Sequence, residues 1–169
     1  NGTYSLIPGS VLNETQNKRY ATIQDAIDAS NAGDVIKLLA NINYGKNDMF
    51  KAEVYGYTVM VNATGKNIVL DLNGYTISTD IEDSTELLYA VIFVGDNGSL
   101  TLRDSSVTGT GTIIAKAGLD KDGKGNIYGV SYFTSSSECS NPFIARDASD
   151  NTGKGYNING TTYINFMPI

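Results

Sequence analysis

The segment DKDGKGN carries oxygen-bearing side chains at Asp120, Asp122 and Asn126, with glycines between them. Carboxylates and carboxamides at that spacing, on a chain that glycine allows to curl, are how short loops wrap calcium. The match is incomplete. Lys124 occupies the fifth place and Ser131 the twelfth, where such loops supply further oxygens and a closing Glu. The plain alternative is a glycine-rich hairpin turn between TIIAKAG and NIYGVSYF. Asp120, Asp122 and Asn126 are the metal-ligand candidates, calcium is the ion that suits them, and no other cofactor is implied.

A second group of acids, Asp80, Glu82, Asp83 and Glu86, sits close in sequence to Asp96 and Asp104. Paired carboxylates can serve as acid and base on a glycosidic bond. Loop acids in an acidic chain are more often solvated, and Asp83 and Asp96 have the setting of turn formers. Other chemistries are closed. The chain has no His and a single Cys, Cys139, so no Cys/His or Ser/His pair, no zinc site and no internal disulfide can be assembled. Cys139 lies in SSSECSNPF, where nothing adjacent would activate a thiol.

The 169 residues suit one domain with an appended segment. Hydrophobic residues at 41% and charged residues at 18% describe a globular chain. A net charge of −6 with only 12 Lys and Arg argues against nucleic acid, whose phosphates need a basic face. No apolar run approaches the ~20 residues of a membrane span, so no membrane insertion is expected. The chain opens on Asn1, and the expectation is a processed protein or a piece of a longer one. Sequons occur at Asn1, Asn13, Asn62, Asn97 and Asn159, a small excess over what an Asn- and Thr-rich chain produces by chance and one that decides nothing. The chain holds 11 tyrosines, among them Tyr44, Tyr75 and Tyr128, which suit half-buried strand positions better than a sugar-stacking face.

The elements that must position these residues are short. Ile23, Ala26, Ile27 and Ser30 recur at helical spacing, Thr22 is a good N-cap and Gly33 a stop, which predicts a helix of about three turns over 22–31. From residue 35 the pattern turns to strands, at 35–39, 57–62, 67–72, 75–78, 89–94, 99–103 and 111–115, punctuated by Gly65, Asn73-Gly74, Asp96-Asn97-Gly98, Gly109 and Gly111. Ile36, Ile68 and Leu100 lie 32 apart, as do Leu38, Leu70 and Leu102. Val59 and Val91, Val61 and Phe93, and Ile81 and Ile113 share the offset. A period of that length in strands predicts stacked parallel rungs.

The stretches ATIQDAIDASNAGDVIKLLANI, NIVLDLNGYTIS and VIFVGDNGSLTLRDSS, with GTGTI after them, resemble the start of right-handed parallel β-helix proteins of the pectin-lyase-like superfamily. The likeness is to capped N-terminal portions in bacterial surface or phage-borne proteins. It implies an all-β fold: a short right-handed parallel β-helix, an N-terminal capping α-helix and an irregular β-rich C-terminal segment. Within such a coil Asp71 and Arg103 would share one outer face. That face could form a lyase-type groove in which acids hold calcium and Arg103 abstracts a proton. The plain reading is an exposed ion pair worth ~0–1 kcal/mol.

Three regions follow: a lead-in over 1–19, the capped β-helix over 20–117, and a C-terminal loop and β segment over 118–169. The last segment would cap the final coil or contact a neighbouring subunit, with a hairpin turn at Asn159-Gly160. With no catalytic residue assigned, the expected function is a non-catalytic structural or adhesive module of an extracellular surface, filament or virion protein. The alternative is a fragment of a polysaccharide lyase or glycoside hydrolase. Self-association or neighbouring subunits are the expected partners, with glycans as candidate ligands.

Overall fold

In the computed structural model the described residues are 9–51, 58–81, 88, 90–95, 97–117, 127–134, 137–138, 144–146, 156–157 and 164–166. Strands dominate. The first part holds β1 (Val11–Asn13), β2 (Lys18–Tyr20), α1 (Ile23–Asp28), β3 (Asp34–Leu38) and β4 (Ile42–Tyr44). A 3-10 turn at Lys46–Asp48 leads to β5 (Phe50–Lys51), β6 (Thr58–Asn62), β7 (Asn67–Asp71) and β8 (Thr76–Ile81). Next come β9 (Ala90–Val94), β10 (Ser99–Arg103), β11 (Thr112–Ala117) and β12 (Ile127–Thr134). The last elements are β13 (Ser137–Glu138), β14 (Ile144–Arg146), β15 (Tyr156–Asn157) and β16 (Ile164–Phe166).

These strands fall into three sheets, ordered β16-β10-β7-β3-β1-β2, β15-β11-β8-β4 and β13-β12-β9-β6-β5, with β14 also on β12. Parallel ladders run through β3, β7 and β10, through β4, β8 and β11, and through β6, β9 and β12. Antiparallel strands flank them: β1, β2 and β16 in the first sheet, β15 in the second, β5, β13 and β14 in the third.

The side-chain pattern explains why these residues are strands. Val35–Leu38 and Leu100–Arg103 alternate buried and half-buried, the period-2 signature of a strand with one face on a core. Residues 90–94 are buried throughout, as a central strand covered on both faces should be. Ile36, Leu70, Leu72, Leu102, Ile77, Ile113, Val61 and Ile92 meet in one apolar cluster drawn from all three sheets. The Asn73-Gly74 turn behaves as its sequence predicts. Both residues have positive φ, 48° and 81°, and the Tyr75 amide closes the turn on the Leu72 carbonyl at 2.8 Å.

The expected right-handed parallel β-helix is overturned. The chain forms three separate sheets of mixed parallel and antiparallel pairing rather than a solenoid, and the pectin-lyase-like assignment falls with it. The repeat that suggested it holds in one place only. Leu100 pairs with Ile68 and Leu102 with Leu70, at the 32-residue spacing. Ile36, however, pairs with Leu70, and Ile68 with Asp34. Ile113 pairs with Ile77 instead of Ile81, and Ala90 takes the place beside Val59. The loops between strands differ in length, so no single period describes the pairing.

The capping helix is corrected as well. α1 is six residues long, not three turns. Thr22 does cap it, its hydroxyl accepting the Asp25 amide at 3.0 Å, and Ile23, Ala26 and Ile27 are buried. The strand beside β3 is β1, followed by β2, so part of the lead-in completes the sheet that the helix was expected to cover. In the tail, β15 pairs with β11 and β16 with β10, in different sheets, so these two strands are not the arms of a hairpin at Asn159-Gly160. Among the described residues no helix is long and apolar enough to cross a membrane.

Candidate functional site

Three buried carboxylates stand at the ends of strands in the first sheet. Asp71 ends β7 and is fully buried, contrary to the exposed position its spacing suggested. Its Oδ2 accepts from Arg103 Nε at 2.9 Å, the neighbour in the β10 register. Its Oδ1 accepts the amides of Asn73 at 2.9 Å and Ser105 at 3.0 Å. Arg103 also reaches Glu14 at 3.7 Å, and Glu14 meets Lys37 at 3.3 Å. The guanidinium is held by Asp71 and Glu14, and the buried carboxylate ties two chain turns together.

Asp104 follows β10 and is 2% exposed. Its Oδ1 accepts the amides of Gly74 at 2.8 Å and Ser106 at 3.0 Å, and its Oδ2 accepts that of Gly111 at 2.5 Å. Burial alone would raise its pKa; hydrogen bonds from Ser106, Gly111 and Gly74 outweigh this and hold the carboxyl below the usual range. Gly111 is required by this approach, since a Cβ there would meet Asp104 Oδ2 at 2.6 Å. Asp34, 4% exposed at the start of β3, accepts from Asn13 Nδ2 at 2.8 Å, Gln16 Nε2 at 2.6 Å and the Asn31 amide at 3.0 Å. Its pKa is lowered, first by Asn13 and then by Asn31, against desolvation. Sequence reasoning singled out neither Asp34 nor Asn13 for this network. The Asp-Ser-Ser and Asn-Ala-Gly-Asp runs carry the turn signal, but the distant donors that complete each site are not local.

Asp80 is an exposed residue of β8, while Glu82, Asp83, Glu86 and Asp96 lie outside the described residues. So do Asp120, Asp122, Asn126, Lys124 and Cys139. Among the described residues no three His, Cys, Asp or Glu side chains gather as a metal site. Of the sequons, Asn13 is fully buried and bonded to Asp34, which removes it from the surface. The Oδ1 of half-buried Asn62 accepts from the amide and the hydroxyl of Thr64, at 3.0 and 2.6 Å. Asn97 is exposed in a left-handed turn, with φ 58°; Asn1 and Asn159 are not described. Tyr44 and Tyr75 are half-buried and packed on the core.

A groove of about 220 Å³ opens beside β4. Its lining residues are Ser10, Ala21 and Thr22, just before α1, and Asn41, Ile42, Asn43, Tyr44 and Asp48 in and around β4. Asn41 Oδ1 accepts the Thr76 amide at 2.9 Å and Asn43 Oδ1 the Ser78 hydroxyl at 3.2 Å. The Asp48 carboxylate accepts the Gly45 amide at 2.7 Å. Burial, then the charge of Asp48, pushes the Tyr44 phenol well above its usual pKa, so it stays protonated. The groove can offer donors and acceptors to a ligand; it has no His, Cys, Lys or Arg in its lining.

Fold and site define an all-β protein with three mixed sheets and turn-locking buried acids. No protein-family profile, curated protein or solved structure matches the chain.

Proposed function

We propose that this chain is a non-catalytic structural or adhesive module of an extracellular surface, filament or virion protein, working through contacts with neighbouring subunits or glycans. What supports this reading is the use to which the buried acids are put. Asp34, Asp71 and Asp104 each accept three hydrogen bonds, from backbone amides, amide side chains or Arg103. Carboxylates so engaged are committed to holding turns and are poorly placed to act on a substrate. Arg103, held by Asp71 and Glu14, is equally ill placed as a base. Three parallel ladders that share one apolar core suit a stiff unit.

The test is to incubate the full chain with polygalacturonate and a panel of neutral polysaccharides, following unsaturated products and reducing ends. No turnover is expected for the wild type. Turnover that disappears in Asp71→Asn while the fold persists would establish the enzyme instead.

A further inference from the structure

We propose that the groove beside β4 binds a neutral sugar, one pyranose unit of a glycan. Its lining residues include three that carry hydroxyls (Ser10, Thr22, Tyr44), two that carry carboxamides (Asn41, Asn43) and one that carries a carboxylate, Asp48. A site for phosphate or a sugar acid is built from cations or converging backbone amides that replace lost hydration. Here the one charge is negative and would repel such ligands. A neutral polyol fits, because each hydroxyl both donates and accepts, and amides and carboxylates meet both needs.

The polar groups are also held in place. Asn41 and Asn43 are anchored through their oxygens to Thr76 and Ser78 of β8, which leaves their amino groups as the donors to offer. Asp48 is fixed in the 3-10 turn by the Gly45 amide, and the Asp48 amide returns a bond to the Gly45 carbonyl at 3.0 Å. Such anchoring lowers the ordering entropy that a ligand must overcome. Ile42 and Tyr44, half-buried against the core, supply the apolar part of the lining. At about 220 Å³ the groove is smaller than the ~300–1,000 Å³ of drug-sized sites, which selects one ring. Ligand class is thus set by charge, hydrogen-bonding character and volume together.

The inference rests on the adhesive reading in one respect, that the sugar is held and not cleaved. The experiment follows backbone amide shifts of residues 21–22 and 41–48 while glucose, galactose, mannose and N-acetylglucosamine, as methyl glycosides, are titrated to high millimolar. At least one should shift these amides saturably. Ala21→Trp, which fills the groove from an exposed position, should raise the dissociation constant at least ~10-fold with an unchanged melting temperature. Asp48→Ala should weaken binding too, and stands in if the Trp variant fails to fold. Absence of saturable shifts for every sugar overturns the site, and so do equal shifts in both variants. Shifts given only by an extended peptide, adding to β4 as a strand, overturn it as well. Saturable binding with cleavage of the glycoside upholds the site and removes the non-catalytic reading, so the two ideas fail separately.

Discussion

A buried carboxylate that gathers backbone amides does more for this protein than an exposed ion pair could. Asp71→Ala would cost under ~1 kcal/mol were it a surface partner of Arg103. Since it is fully buried and also accepts the Asn73 and Ser105 amides, we expect ~2–4 kcal/mol, read from urea unfolding. Asp104→Ala should cost a similar amount, because Gly74, Ser106 and Gly111 lose their common acceptor. A pH dependence follows for Asp34 and Asp104. Both have folded pKa values held below the ordinary ~3.9, so the unfolded state takes up protons first as pH falls. Their stabilising contribution is therefore present above ~3.9 and is lost as pH drops through the folded values. Melting temperature should fall between mildly acidic and strongly acidic buffer in the wild type. The fall should be shallower in Asp34→Asn/Asp104→Asn, and an identical acid profile would show that these groups do not carry it.

At the scale of elements, the β7–β10 ladder and α1 make opposite kinds of contribution. Leu70 is buried between sheets and pairs with both Ile36 and Leu102. Leu70→Ala should cost ~2–5 kcal/mol by chemical denaturation, as a truncation in a shared core does. α1 is too short to be stable by propensity, and its hold on the core comes from Ile23, Ala26 and Ile27. Thr22→Ala should lose ~1 kcal/mol with the cap. Because Thr22 also lines the groove, that variant reports on stability and on sugar binding at once.

For the molecule as a whole, the decisive feature is how sheet ends are closed. β1 covers β3, β5 covers β6, and β15 and β16 cover β11 and β10. Deleting residues 156–169 should strip two strands from their partners and leave the β10 and β11 edges open to another chain. Light scattering should then report a larger mass, or solubility should drop, while far-UV circular dichroism keeps its β signature. A truncated chain identical to the full one in mass and melting temperature would show that those strands are not needed for closure.

The sequence by itself determined what local pattern and composition can determine. The alternation around Leu70 and Leu102 marked strands, Asn73-Gly74 marked a tight turn, Thr22 marked a helix start, and the absence of His closed several chemistries. Only the tertiary structure decided that Ile36 meets Leu70, that Asp71 is buried, and that Val11–Asn13 forms the strand beside β3. The physical reason is that strand pairing and burial are non-local. A strand carries its facing pattern in its own residues, whereas its partner, its register and the donors that satisfy a buried carboxylate arrive from positions tens of residues away, across loops of unequal length.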